Sequence, residues 1–209
     1  LDVVKPFIGL IEKFIQNTGF MLTLVDKDGF LLEIKGDSEA LKSAHISLLV
    51  EGANRSEAKA GTNAISLALT EDRPLQLAGP EHYKQCYHNW TCSAAPIHDT
   101  RGKILGVLNL SGHRSLIHKH TLGMVTSLAQ DIERELRIQE QNVALRLANE
   151  QLQAVIDSIA EGVIAVDQNG RIIEANVKIQ KLFQISKAEL QGRLITDVFS
   201  THSSLSEIL

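Results

Sequence analysis

The chain has 209 residues, of which 44% are apolar and 22% charged, and its formal net charge is −4. This composition supports a folded core, and its 21 basic and 25 acidic residues form no block of one sign that would indicate nucleic-acid or membrane-surface contact. Two cysteines are too few for a disulfide scaffold, and no apolar run approaches the roughly 20 residues that span a bilayer, so we expect a cytoplasmic protein.

The N-terminal part of the chain is predicted to begin with a helix over 3–15, because its apolar residues recur at helical spacing. Three predicted turns begin with aspartate and end with glycine: DKDG at 26–29, DTRG at 99–102 and DQNG at 167–170. The β-prone runs that flank them are 20–25 with 30–34, 94–97 with 104–110, and 163–166 with 171–173. Three antiparallel hairpins with helices between them predict an α+β fold and not a parallel, doubly wound sheet.

Three further elements are predicted between the first two hairpins. The stretch 61–71 is predicted to be a short helix, with Thr62 or Asn63 as its N-cap. The stretch 74–77 is predicted to be a strand. The stretch 80–87 is predicted to be a helix with proline in its first turn.

A long helix is predicted over 117–159, which contains no proline and a single glycine, Gly123. Its first apolar stripe is Leu122, Val125, Ala129, Ile132 and Leu136, with Val143 in the same frame, and its second is Leu145, Ala148, Leu152, Val155 and Ile159. The offset between the two frames indicates a discontinuity in a coiled coil. The helix either packs on its own domain or forms a two-helix seam. Because the stripes are narrow and their surroundings polar, we predict a homodimer through this helix.

The middle of the chain contains four short motifs in a fixed order: GTNAI at 61–65, EH at 81–82, TCSAAPIHD at 91–99 and GVL at 106–108. Through them the run 61–112 resembles the GAF domain of acetoin-regulator-type, sigma-54-dependent transcriptional activators of bacteria. One position departs from that family, which often has a tryptophan before the Ser-Glu pair upstream of the first motif. This chain has Arg55 there.

The C-terminal part contains a second set of motifs: Gly162-Val163, the Asn-Gly turn, EAN at 174–176 and ELQG at 189–192. Through them the run 152–199 resembles the opening half of a PAS domain. Since PAS folds continue with three more strands, the resemblance implies an incomplete domain whose core is partly open, loosely ordered or covered by a partner. We expect a GAF domain at 1–116, a linker helix at 117–150 and half a PAS domain at 151–209.

The resemblance implies a signal-input region that binds a small-molecule effector and controls an AAA+ ATPase and a helix-turn-helix elsewhere. It implies no enzymatic activity, no direct nucleic-acid contact by this region and no membrane association. Two alternatives stay open: the sensory region of a histidine kinase or cyclic-di-nucleotide enzyme, and an adaptor that responds to a partner protein. The effector and any cofactor remain open.

The pocket is expected between the helix 61–71, the segment 82–90 and the strand 92–97. Its candidate ligand-binding residues, chosen by motif position, are Thr62, Asn63, His82, Tyr83, Tyr87, His88, Trp90, Cys92 and Ser93.

Other chemistry is poorly supported by the residues. His82, Cys86, His88 and Cys92 include zinc-ligand types and two thiols, but no close cysteine pair is present, which favours pocket or core roles. Ser93 and His98 are five apart on a predicted strand and face opposite sides, so they form no catalytic pair. No catalytic residue and no metal ligand is therefore predicted.

Overall fold

The computed structural model describes residues 4–200 and divides into two compact units, residues 1–140 and 141–209. The helices of the first unit are α1 Lys5–Ile15, α2 Ser38–Ile46, α3 Glu57–Ala60, α4 Ala64–Glu71 and α5 Lys119–Ser158, the last of which continues into the second unit. Its strands are β1 Phe20–Asp26, β2 Leu31–Gly36, β3 Leu75–Ala78, β4 Trp90–His98 and β5 Ile104–His113. The strands form one antiparallel sheet in the order β2-β1-β5-β4-β3, which confirms the predicted α+β class.

The aspartate that opens each predicted turn stabilises that turn directly. The Asp26 carboxylate accepts the backbone N–H groups two and four residues later, at 3.0 and 2.8 Å. Asp99 repeats the pair at 2.8 and 2.9 Å, and Asp167 at 2.8 and 2.9 Å. Backbone hydrogen bonds also lower the pKa of Asp99. These side chains are turn formers, because an aspartate oxygen substitutes for a backbone acceptor.

The two faces of the sheet pack against different helices. Leu22 and Leu24 of β1 contact a core shared with α1 and α5, whereas Met21 and Val25 belong to cores shared with α2 and α4. This separation follows from the two-residue period of a strand, which sends alternate side chains to opposite faces. The second face is the one that carries the candidate site.

The segment 80–87 is not the predicted helix. It contains two separate single 3₁₀ turns, Gly79–Glu81 and Gln85–Tyr87. Two other bonds replace the helical ones. The Glu81 carboxylate accepts the Ala78 N–H at 2.6 Å and caps the first turn locally, and the Tyr83 N–H donates to the distant Thr62 carbonyl at 2.9 Å. The segment is thereby attached to the chain that precedes α4.

The long helix was predicted over 117–159 and extends from Lys119 to Ser158, which confirms it. Its first stripe packs on its own unit, with Val125, Ala129 and Ile132 buried against β1, β4, β5 and α1. Of the two predicted alternatives, packing on its own domain and a two-helix seam, the first is therefore observed for this stripe. The second stripe lies open, with Leu152 and Val155 both more than 60% exposed.

The second unit contains β6 Ile164–Val166, β7 Ile172–Ala175, α6 Val177–Phe183, α7 Lys187–Leu190 and α8 Ile195–Ser200. The two strands form the predicted hairpin. A buried cluster lies behind it: Ile172, Ala175, Ile179, Phe183, Leu190 and Val198. Outside this cluster, Ile173 and Leu182 are exposed. Within residues 4–200 no helix has the length and apolar character needed to cross a bilayer.

His98 connects three elements of the first unit. Its Nδ1 lies 2.6 Å from Glu133 of α5, and its Nε2 lies 2.6 Å from Asp72, the C-cap of α4. Burial by itself would lower the pKa of His98, but the hydrogen bonds to Asp72 and Glu133 outweigh it and the pKa is raised. The protonated imidazole, which has two N–H donors, is the form that suits both carboxylates.

We predict that the stability of the first unit depends on the charge of His98. A raised pKa stabilises the fold fully below the unfolded value of about 6.5, and this contribution is lost as the pH rises through the folded value. The free energy of unfolding, measured by urea denaturation at a series of pH values, should therefore fall across that range. His98→Gln should remove this fall, whereas His120→Gln, at an exposed position, should retain it. An unchanged pH profile in His98→Gln would contradict the assignment.

Candidate functional site

A cavity of about 30 Å³ lies between the second face of the sheet and helices α2 and α4. We call it the central cavity. Its lining residues are Met21, Ala44, Ser47, Leu49, Arg55, Asn63, Ala64, Ile65, His82, Tyr87, Trp90, Cys92, Asn109 and Ser111. A water molecule needs about 10–15 Å³ of such space, so the cavity is only large enough for a few small groups.

The floor of the central cavity is polar although it lies in the middle of a sheet. Asn109 Nδ2 donates to Thr23 Oγ1 at 3.0 Å and to Ser111 Oγ at 2.9 Å, and Ser111 Oγ donates to Cys92 Sγ at 3.1 Å. Thr23, Asn109 and Ser111 are buried. Buried polar groups destabilise a core unless they are bonded, so a polar stripe here is typical of a binding site.

Asn63 fixes the chain on both sides of the cavity rim. Its Oδ1 accepts the N–H groups of Ile65 and Ser66, both at 3.1 Å, and caps α4. Its Nδ2 donates to the carbonyls of Gly61, at 2.8 Å, and Arg55, at 3.0 Å. The amide thereby holds the backbone of residue 55 against the start of α4.

Arg55 is the one charged residue among those that line the cavity, and it is 5% exposed. Its guanidinium donates to the hydroxyl of Tyr87 and to the carbonyl of Leu48, and it lies 5.6 Å from the centre of the Tyr87 ring. A guanidinium keeps its positive charge in proteins, and it combines a planar array of donors with affinity for aromatic faces. The positive charge is therefore placed inside the apolar wall of the cavity.

His82 presents a hydrogen-bond acceptor to the same region. Burial lowers the pKa of His82, so the imidazole is neutral near pH 7. Its Nδ1 lies 3.1 Å from the Gly79 carbonyl, which assigns the proton to that nitrogen and leaves Nε2 as an acceptor. His88 lies behind it, with Nε2 3.1 Å from the His82 carbonyl.

The two cysteines have different environments. Burial raises the pKa of the Cys92 thiol to about 11, with the hydrogen bond from Ser111 and the charge of Arg55 acting weakly in the other direction. Cys86 is exposed. Across residues 4–200 no group of three or more His, Cys, Asp or Glu side chains is arranged to hold a metal ion.

The structure brings together five of the nine predicted ligand-binding residues: Asn63, His82, Tyr87, Trp90 and Cys92. The other four, Thr62, Tyr83, His88 and Ser93, do not line the central cavity.

Each of these four has another contact. Thr62 donates to the Glu57 carboxylate at 2.7 Å, and Ser93 accepts from the Gln76 amide at 2.8 Å. Tyr83 is 76% exposed and packs over Gly61, where an added Cβ would collide with its ring. His88 packs behind His82 and bonds its carbonyl.

The sequence-based prediction missed Arg55, Asn109 and Ser111. The signal for the last two was present in β5, where Asn109 and Ser111 occupy alternate positions between the apolar residues of the other face. A strand with apolar residues on one face and amide and hydroxyl groups on the other indicates that the second face does more than pack. No such alternating pattern surrounds Arg55 in the sequence, because residues that are distant along the chain bury its side chain.

The comparisons with known proteins identify both parts of the chain. Residues 7–136 match the GAF domain model and residues 150–209 match the PAS fold model. The chain therefore belongs to the GAF domain family, with a PAS region after the GAF domain.

Similar proteins place this pair of domains in transcription regulators. A signal-transduction and transcriptional-control protein of Clostridium beijerinckii is 33% identical over 96% of this chain and 32% of its own length. The acetoin dehydrogenase operon transcriptional activator AcoR of Bacillus subtilis (strain 168) is 34% identical over 92% of this chain and 31% of its own. The chain thus spans about a third of these relatives, and it matches the sensory region of acetoin-regulator-type activators.

A solved structure has the same fold. In the E. coli DhaR(N)–DhaL complex, the matching chain superposes with a TM-score of 0.85 at 23% identity, over 94% of this chain and 67% of that one. An identity this low supports the shared fold alone.

We predict that the two thiols react at very different rates. At pH 8 only roughly one in a thousand Cys92 groups is a thiolate, and the residue is half-buried, whereas Cys86 is exposed. Ellman's reagent should therefore modify one thiol rapidly in the native chain and both after denaturation. Cys86→Ser should show no rapid reaction in the native state. A rapid reaction in that variant would mean that the central cavity is open to solvent.

Proposed function

We propose that this chain is the signal-input region of a sigma-54-dependent transcriptional activator and that a small-molecule effector binds in the central cavity. The observation that carries the proposal is the polar floor of the cavity, because buried amide, hydroxyl and imidazole groups there face a space instead of a packed core. The similarity to transcriptional regulators supports the regulatory part of the proposal. Under this proposal, the ATPase and DNA-binding parts of the protein lie outside this chain. The protein is cytoplasmic, and this chain is not itself an enzyme.

A conformational change at the cavity can be transmitted to α5 through contacts within the first unit. The first turn of α4 lines the cavity, and its C-cap, Asp72, bonds His98, which bonds Glu133 on α5. A shift of α4 on effector binding would therefore reach the long helix through two hydrogen bonds. A ligand shifts such an equilibrium only by its differential affinity for the two states.

A reporter gene under the promoter controlled by the full-length protein tests this function. Ala44 is a buried lining residue, so Ala44→Leu fills the cavity, and Ala58→Leu makes the same change on the exposed face of α3. We expect reporter expression to be about 5–150-fold higher under inducing than under non-inducing conditions in wild type and Ala58→Leu. This difference should be lost in Ala44→Leu. Activation should also disappear in cells that lack sigma-54. Unchanged activation in Ala44→Leu or in those cells would contradict the respective part of the proposal.

The second stripe of α5 supports a homodimer. Leu145, Leu152 and Ile159 are seven residues apart, and Ala148 and Val155 occupy the intervening core positions of a heptad. These apolar side chains are exposed on one chain, and a second copy of the same helix offers the matching stripe. The proposed seam thus begins after the first stripe and ends at Ile159, the residue that follows the end of the helix.

We predict that Leu152→Asn weakens this dimer, because it places an amide in the apolar seam. The dissociation constant, measured by sedimentation equilibrium of the 209-residue chain, should rise by at least about tenfold. Leu147→Asn changes a similarly exposed leucine outside the seam and should have little effect. A monomeric wild-type chain, or equal effects of the two variants, would refute the seam.

A second candidate function is an input from a partner protein in place of a small molecule. The observation that favours it is the solved relative, which is a complex of DhaR(N) with DhaL. Under this alternative the central cavity would be a structural feature and Ala44→Leu would leave activation intact.

A further inference from the structure

Three buried polar atoms at the central cavity lack a hydrogen-bond partner within residues 4–200: Arg55 Nε, His82 Nε2 and Asn109 Oδ1. The first is a donor. The other two are acceptors, because His82 carries its proton on Nδ1 and the Asn109 amide nitrogen already donates to Thr23 and Ser111. Buried polar atoms are normally bonded, so each unpaired atom needs an explanation. That three of them line one cavity points to a ligand that would pair the donor and at least one of the acceptors.

The charge of Arg55 also lacks a counter-charge. In the described part of the chain, no carboxylate lies within 4.0 Å of its guanidinium nitrogens. The carboxylate of nearby Glu57 is engaged elsewhere, by the hydroxyls of Thr62 at 2.7 Å and Ser66 at 2.8 Å.

The Cys92 thiol lies near enough to respond to the charge of Arg55 but remains protonated, since burial raises its pKa to about 11. A buried cation without an anion is destabilising, so the cavity is electrostatically incomplete.

Resting on the proposed sensing function, we propose that the effector is a short-chain hydroxycarboxylate whose carboxylate is bound by Arg55 and whose hydroxyl donates to Asn109 or His82. A carboxylate matches the planar donors of a guanidinium and supplies the missing negative charge. The start of α4 lines the same cavity, and the N-terminus of a helix favours an anion. The hydroxyl is required because an unpaired acceptor needs a donor, which a carboxylate alone does not have, and one hydroxyl satisfies one of the two acceptors.

The dimensions of the cavity limit the rest of the ligand. Its volume of about 30 Å³ excludes a long chain or a ring system, and the remaining wall is apolar, with Met21, Ala44 and Leu49. The ligand class is thus restricted to the smallest hydroxy acids, of two or three carbons, for which the walls must also move apart, and it is not a sugar or a nucleotide. Arg55 is assigned a binding role, which is additional to its contacts with Tyr87 and Leu48.

The test uses the 209-residue chain and its single tryptophan, Trp90, which lines the cavity and reports binding by fluorescence. The probes are glycolate and L-lactate, each compared with its neutral amide, glycolamide and L-lactamide. We expect at least one acid to bind at least about tenfold more tightly than its amide, because only the acid forms a charge-assisted bond with Arg55. Arg55→Gln should abolish this preference, and Arg101→Gln, an equal loss of charge in the exposed β4–β5 turn, should preserve it.

Each outcome decides the inference. If the amides bind as tightly as the acids, or if Arg55→Gln retains the preference in a folded chain, the hydroxycarboxylate assignment is wrong while the sensing function stands. If none of the four probes changes the fluorescence, the assignment is likewise wrong, and the reporter experiment with Ala44→Leu decides the sensing function independently. Should Arg55→Gln fail to fold, as circular dichroism would reveal, the comparison of acid with amide in the wild-type chain still decides.

Discussion

The Asn63 amide is the constraint on which the architecture of the site depends. Its four hydrogen bonds use both lone-pair directions and both N–H groups of one side chain, and they join the start of α4 to the carbonyls of Gly61 and Arg55. An aspartate would lose the two donated bonds, and a serine would be too short to make all four contacts. The Gly-Thr-Asn motif is therefore chiefly a structural device that positions other side chains at the cavity.

The sequence predicted the parts of the fold that local chemistry determines. The hairpins follow from aspartates that bond their own turns, and the long helix follows from an uninterrupted run without proline. The segment 80–87 was mispredicted as a helix because proline in a first turn is a local signal, whereas the Tyr83 N–H bonds to the distant Thr62 carbonyl. Helices α2 and α3 were not predicted at all, since both are short and have weak apolar periodicity.

The candidate site was partly predictable for the same reason. Residues within the recognised motifs, such as Asn63, His82 and Cys92, do line the cavity. Arg55 could not be assigned from spacing, because its position depends on Asn63, eight residues later, and on Tyr87, 32 residues later. The two stripes of α5 have equivalent spacing in the sequence, yet one is buried in its own unit and the other is exposed. Periodicity identifies an apolar face, but only the surrounding chain determines what covers it.

The His98 contacts make the proton a ligand of this unit, because they raise the pKa of His98. Asp72 ends the helix whose first turn lines the cavity, and His98 joins that helix to Glu133 on α5. Thermodynamic coupling between two binding equilibria is reciprocal. If an occupant of the cavity displaces α4 and changes the Asp72–His98 distance, it changes the affinity of His98 for its proton. The proton then changes the affinity of the cavity for its occupant by an equal factor. Under the proposed function, such a unit would respond to the occupant of the cavity and to the acidity of its surroundings as one combined signal.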